Sequence, residues 1–137
     1  MERKIILIED DQIDLLALER LVNRIIEKHQ LKKMIVEKFS VSSPAMKSIN
    51  SSDNVALIVC DTYLPDMDAI DIMNSLAKNR VSTPILLVSG VSKDIMDVSE
   101  EFGVETGRNM IGSLSKPISL PQLEEAFHKA GLLTRPS

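Results

Sequence analysis

The stretch Val55-Ala56-Leu57-Ile58-Val59-Cys60-Asp61 decides the fold. An apolar run rich in Val, Ile and Leu ends on a single aspartate, with polar residues on either side. So short and uniform a run reads as a strand buried on both faces, as in the interior of a parallel sheet. A carboxylate closing such a strand has little packing reason to be there, so Asp61 stands out as the reactive residue. Thr62-Tyr63-Leu64-Pro65-Asp66-Met67-Asp68 then forms a loop leading into a helix.

The same alternation of buried run and helical period extends in both directions. Lys4-Ile5-Ile6-Leu7-Ile8 is a first strand, ending at Glu9-Asp10-Asp11. From Gln12, the residues Leu15, Leu18, Val22, Ile25 and His29 recur on one helical stripe. Residues 34–39 are more polar and suit a sheet edge, and residues 42–49 suit a short helix capped by Ser42 or Ser43. Beyond the central strand, Asp68 is placed to cap a helix over 68–78. A strand over 85–88 ends at Ser89-Gly90, and a helix over 93–102 is stopped by Gly103. A weaker strand over 110–115 runs into Lys116-Pro117, and Ser119 caps a last helix that Gly131 ends. The expected unit is one domain over 1–137, with its core at about 3–131 and a short tail at 132–137. A strand-helix order repeated along the chain gives an α/β fold, its parallel sheet wound on both faces by helical crossovers.

Composition narrows the function. Apolar content of 44% and charged content of 26% are those of a soluble globular protein. A net charge of −4, with no basic stripe and 3% aromatics, speaks against nucleic-acid binding. No stretch is long enough to span a bilayer and no signal peptide opens the chain, so a cytoplasmic location and no membrane partner are expected. The single cysteine, Cys60, lies inside the apolar run and reads as a core residue. The methionines are scattered as core filler, and His29 sits where a helix C-terminus favours it.

In a parallel sheet the strand carboxyl ends share one edge, and ligands bind outside it. Asp10 and Asp11, Asp61, Ser89 and Lys116 all fall at such ends. Two unit charges about 4 Å apart repel by roughly 4 kcal/mol at an effective dielectric near 20, so clustered carboxylates call for a cation. Mg²⁺ fits an all-oxygen set that leaves room for a phosphate oxygen. The chemistry this suggests is phosphoryl transfer to Asp61, with Mg²⁺ held by Asp11 and Asp61 and supported by Asp10. Lys116 and the Ser89 hydroxyl would then meet the phosphoryl oxygens. The plainer reading of Asp10-Asp11 is a helix cap, for which one of the two suffices. Asp66 and Asp68 read as a turn residue and a cap.

In these residues the sequence resembles the receiver domain of bacterial two-component response regulators. The likeness rests on Glu9-Asp10-Asp11, on Asp61 with Leu64-Pro65-Asp66-Met67-Asp68, on Ser89, and on Lys116-Pro117, in order over nearly the whole chain. It implies a flavodoxin-like, doubly wound five-stranded sheet of order 2-1-3-4-5. It also implies a Mg²⁺-dependent phosphoacceptor, loaded by a histidine kinase or phosphotransfer protein, that switches a surface for a downstream protein or linked output domain. Such a domain is regulatory and catalyses only its own phosphorylation and dephosphorylation. By the resemblance Asp61 is the acceptor, Asp10 and Asp11 the acidic pair, and the Tyr63 carbonyl the remaining metal ligand. Ser89 matches the switch hydroxyl and Lys116 the invariant lysine.

Ala69 stands where the family usually has glycine, and Ser89 where threonine is commoner. Ser113 stands where many receivers carry an aromatic switch residue, three before the lysine. The segment 100–116 resembles receivers joined to EAL-class cyclic-di-GMP phosphodiesterases. Three rival readings remain. A flavodoxin needs a phosphate cradle where Glu9-Asp10-Asp11 stands. A haloacid-dehalogenase phosphatase needs an Asp where Tyr63 stands. A non-phosphorylated scaffold tends to lose the acceptor, the acidic pair or the lysine, all of which this chain keeps.

Overall fold

A computed structural model describes residues 2–62, 64, 66, 71, 74–75, 82–90 and 110–134. Its elements are β1 (Arg3–Ile8), α1 (Gln12–Lys28), β2 (Met34–Phe39), α2 (Ser42–Ser51), β3 (Val55–Asp61), β4 (Ile85–Ser89), β5 (Met110–Ser115) and α3 (Leu120–Lys129). Of the helix expected over 68–78, residues 71, 74 and 75 are helical. The helix expected over 93–102 lies outside the described residues.

The strands form one five-stranded sheet of order β2-β1-β3-β4-β5, and every neighbouring pair is parallel. This is the flavodoxin-like arrangement that the family resemblance implies. The more polar β2 takes an edge, and the near-continuous apolar runs of β1, β3 and β4 take the interior.

Strand alternation sorts the apolar residues between two cores. Ile5, Leu7, Leu57, Val59, Leu86 and Val88 face α1 and α3, where they meet Leu18, Val22, Ile25, Leu123 and Phe127. Ile6, Ile8, Ile58, Cys60, Ile85 and Leu87 face the other way, against Ala45, Met46 and Ile49 of α2. Each fully buried aliphatic side chain stabilises by about 1.5–3 kcal/mol, which is why a strand with both faces covered must be apolar throughout. The β4–β5 register slips by one residue between Ile85 and Leu86, and Gly112, opposite Leu86, has φ +154°. Residues with a Cβ rarely adopt that backbone, so the bulge suits glycine.

The core reaches past the expected end at residue 131. Gly131 turns the chain at φ +79°, and Leu132 and Leu133 are buried in the α1–α3 core. The expected cap of α2 also differs. Val41 holds the N-cap position and offers no side-chain bond. Asp66, from the loop after β3, supplies the cap across the sheet edge, accepting from the Ser42 N–H at 3.0 Å, the Ser43 N–H at 3.1 Å and the Ser43 hydroxyl at 2.9 Å.

These donors, the Ser42 N–H first, hold the Asp66 carboxyl well below the usual carboxylate range. A depressed folded pKa means that the cap's contribution is present above the unfolded value of about 3.9 and fades as pH falls toward the folded value. Asp66→Ala is therefore expected to lower the melting temperature by a few degrees at neutral pH, and by progressively less below about pH 4. Thermal melts of both proteins across that range measure it.

Candidate phosphoacceptor site

The carboxyl ends of β1, β3, β4 and β5 converge as the topology requires. Asp61 closes β3 beside Val88 of β4, and Thr62 N–H continues the ladder to the Val88 carbonyl at 3.0 Å. Ser89 closes β4 opposite Ser115, and its carbonyl accepts from the Lys116 N–H at 2.9 Å. That bond and the cis Lys116–Pro117 peptide lie where Lys116 leaves the sheet.

The Lys116 ammonium occupies the centre of the site. Its Nζ lies 2.6 Å from Glu9 Oε1, 2.9 Å from Asp14 Oδ2 and 3.3 Å from Asp61 Oδ2. Glu9 and Asp61 are buried, whereas the Asp14 side chain is 43% exposed. Burial pushes the Glu9 carboxyl up to about 8, with Asp61 adding to the effect and Lys116 opposing it. Burial also works against the Lys116 charge, but bonds to Glu9 and Asp14 and the Asp61 charge outweigh it and hold the ammonium above the usual lysine range. The Lys116 bond in turn lowers Asp14. Burial lifts the Cys60 thiol beyond reach of ionisation at neutral pH, which fits a core residue.

Glu9, Asp10 and Asp61 each present a carboxylate oxygen, all within 4.8 Å of one another. Such an all-oxygen set, partly buried and partly open, fits a hard divalent cation such as Mg²⁺. The sequence reading placed Asp11 in this group, and the structure places it elsewhere. Asp11 is exposed and caps α1, its Oδ1 accepting from the Asp14 N–H at 2.9 Å. One carboxylate of the triplet Glu9-Asp10-Asp11 thus caps the helix, and Glu9 and Asp10 are the two whose oxygens lie close to Asp61. The signal was present in the sequence, since an N-cap stands directly before the first residue of a helical period, and that residue is Gln12.

The remaining expected residues divide clearly. Asp10 joins the cluster and is exposed. Ser89 is fully buried at its strand end. Ser113 lies opposite Leu87 on β5 and is partly buried. Tyr63, whose carbonyl the resemblance made a metal ligand, lies outside the described residues, as does most of the 100–116 segment. The sequence reading missed Asp14 as a partner of Lys116. Its place one turn beyond the α1 cap was visible, but its reach across to the residue that follows β5 was not.

This strand order and this acidic edge are those expected of a receiver. The chain belongs to the response regulator receiver domain family, whose model matches residues 5–128. No curated protein matches it in sequence. Among solved structures it is similar to a response regulator from Colwellia psychrerythraea, at 22% identity over 96% of this chain and 97% of that one, with a TM-score of 0.73. It is similar to a response regulator receiver domain protein from Clostridium thermocellum at 18% identity, over 93% of each chain, with a TM-score of 0.74. A third is the receiver domain of the sensor histidine kinase PA1611 from Pseudomonas aeruginosa PAO1, with 18% identity, coverage of 96% and 99%, and a TM-score of 0.71. That structure has a magnesium ion coordinated in its active-site cleft. The family is regulatory, and among the described residues no helix is long and apolar enough to cross a membrane.

Proposed function

We propose that this chain is a phosphorylation-controlled switch of two-component signalling, which accepts a phosphoryl group on Asp61. The observation that carries the reading is the bond from Lys116 to Asp61 inside the carboxylate cluster at the sheet edge. A lone carboxylate at a strand end would need no such partner.

In the reaction, an Asp61 carboxylate oxygen attacks the donor's phosphorus while the bond from phosphorus to the donor's leaving atom breaks. The leaving group, an imidazole nitrogen in a histidine kinase or phosphotransfer protein, departs with the electron pair. Catalysis of this kind is positioning and neutralisation of charge on the transferred group. Lys116 offers one charge-assisted donor to a phosphoryl oxygen, and the Ser89 hydroxyl offers another. Glu9, Asp10 and Asp61, with the Tyr63 carbonyl, would hold Mg²⁺, which would supply further neutralisation of the phosphoryl oxygens.

The acyl phosphate brings new strong acceptors to the ends of β4 and β5, and the response begins at Ser89 and Lys116. The readout surface is carried by the elements that follow, for a downstream protein or linked output domain. With Ser113 in place of an aromatic, it does not depend on a rotating ring. A protein donor would find an apolar foothold in Ile13 and Leu16, which flank Asp14 on α1 and are 80% and 47% exposed. The cytoplasm, where kinases draw on ATP, is the compartment this function requires.

Intact mass after incubation with acetyl phosphate and Mg²⁺ tests the reading. One phosphoryl group is expected, absent in EDTA and in Asp61→Ala. Uptake that survives Asp61→Ala would place the acceptor elsewhere, and no uptake from acetyl phosphate or from a histidine-phosphorylated donor would favour a binding scaffold.

A further inference from the structure

Phosphoryl transfer to Asp61 gives no role to Asp14, although Asp14 holds the central lysine more closely than Asp61 does. The distances from Lys116 Nζ are 2.9 Å to Asp14 and 3.3 Å to Asp61. A lysine ammonium has three protons, and Glu9, Asp14 and Asp61 are three acceptors, so the donors of Lys116 are all engaged. Lys116 borders a cavity of about 120 Å³ between α1 and the segment that follows β5, which Glu9, Asp14, Asp61 and Ile118 also line. The ammonium thus lies beside open space, held by three ion pairs.

We propose that Asp14 is a positioning residue, a latch that draws Lys116 toward α1 and competes with the phosphoryl oxygens for it. The inference rests on the phosphoacceptor reading above. When the Asp61 oxygen bonds to phosphorus and the donor's leaving group departs with its electron pair, the new phosphoryl oxygens require a donor. Lys116 meets that need by giving up a partner. Glu9 is buried, with 4% of its side chain exposed, so releasing it would leave a buried polar group without its lysine partner and with no water to replace it. Asp14 is 43% exposed, and water replaces the ammonium there at little cost. Asp14 is thus the partner that lets go, and its grip sets how readily Lys116 reaches the transferred group.

The test compares wild type with Asp14→Asn, Asp14→Ala and Asp14→Glu. Phosphoryl uptake from acetyl phosphate is followed by intact mass at saturating Mg²⁺, so that loss of a nearby charge does not act through metal affinity. Uptake is expected to be roughly two- to fivefold faster in D14N and D14A, in keeping with the modest strength of an exposed ion pair, and near wild type in D14E. The Lys116 ammonium signal in ¹⁵N NMR of the metal-free protein is expected to move in D14N and to return toward wild type in D14E. A purely structural role for Asp14 would not produce that pattern. Unchanged or slower uptake in D14N, or an unmoved Lys116 signal, overturns the latch. If wild type takes up no phosphoryl group from any donor, the phosphoacceptor reading fails and the latch fails with it. Uptake by wild type with no difference in D14N overturns the latch alone.

Discussion

Lys116→Ala is expected to destabilise the metal-free protein by about 3 kcal/mol, and added Mg²⁺ to recover a large part of the loss. Lys116 touches Glu9, Asp14 and Asp61 together, and two of these are buried. Removing one partner of a buried ion pair costs about 3–5 kcal/mol, because the remaining charge is left without compensation. Two features place this case at the low end. The Asp14 contact is open to water and contributes little. Glu9, already raised to about 8, escapes part of the penalty by taking a proton. A divalent ion at the cluster would supply the missing charge, so the Mg²⁺-induced rise in denaturation midpoint should be larger in K116A than in wild type. Urea melts with and without Mg²⁺ measure both terms. Equal stability of the two metal-free proteins would mean that the three carboxylates do not depend on the ammonium.

Much of this architecture was legible because the physics behind it is local. The apolar runs at 5–8, 55–60 and 85–88 are each too short for a helix and too uniform for a half-exposed strand, and their alternation with helical periods places them inside a parallel sheet. The Ser119 cap was readable from one residue, and the structure adds its reciprocal partner, Gln122. The site followed from topology, since Asp61, Ser89 and Lys116 can meet only where parallel strands end. What escaped were pairings between distant segments. Nothing near Val41 announces that Asp66 will cap α2, because the bond spans a separation of 24 residues. Asp14 and Lys116 are 102 residues apart, and no periodicity links them. The Glu9-Asp10-Asp11 triplet was a different difficulty. Three adjacent acidic residues share two tasks, and their assignment depends on where α1 begins to within one residue, the least certain feature of any helix reading.

That one-residue question has a direct experimental consequence. Glu9→Gln is expected to weaken Mg²⁺ binding by roughly tenfold or more, whereas Asp11→Ala is expected to leave it nearly unchanged. Glu9 belongs to the group whose oxygens lie within 4.8 Å of one another, and Asp11 is committed to the Asp14 N–H. Stability should respond in the opposite order. Loss of the Asp11 cap costs about 1 kcal/mol. Glu9→Gln keeps an oxygen for Lys116 and removes a carboxyl that burial disfavours in its charged form. Because the folded Glu9 pKa is raised to about 8, its contribution to stability is fully present below the ordinary glutamate value and declines as pH rises through 8. Metal-free wild type should therefore lose stability over that interval relative to E9Q, whose side chain does not titrate. Mg²⁺ titrations of both variants, with melts in EDTA between pH 5 and 8, separate the two roles. If D11A loses the metal and E9Q retains it, Asp11 and not Glu9 completes the cluster when the cation binds, and α1 must then begin without its cap.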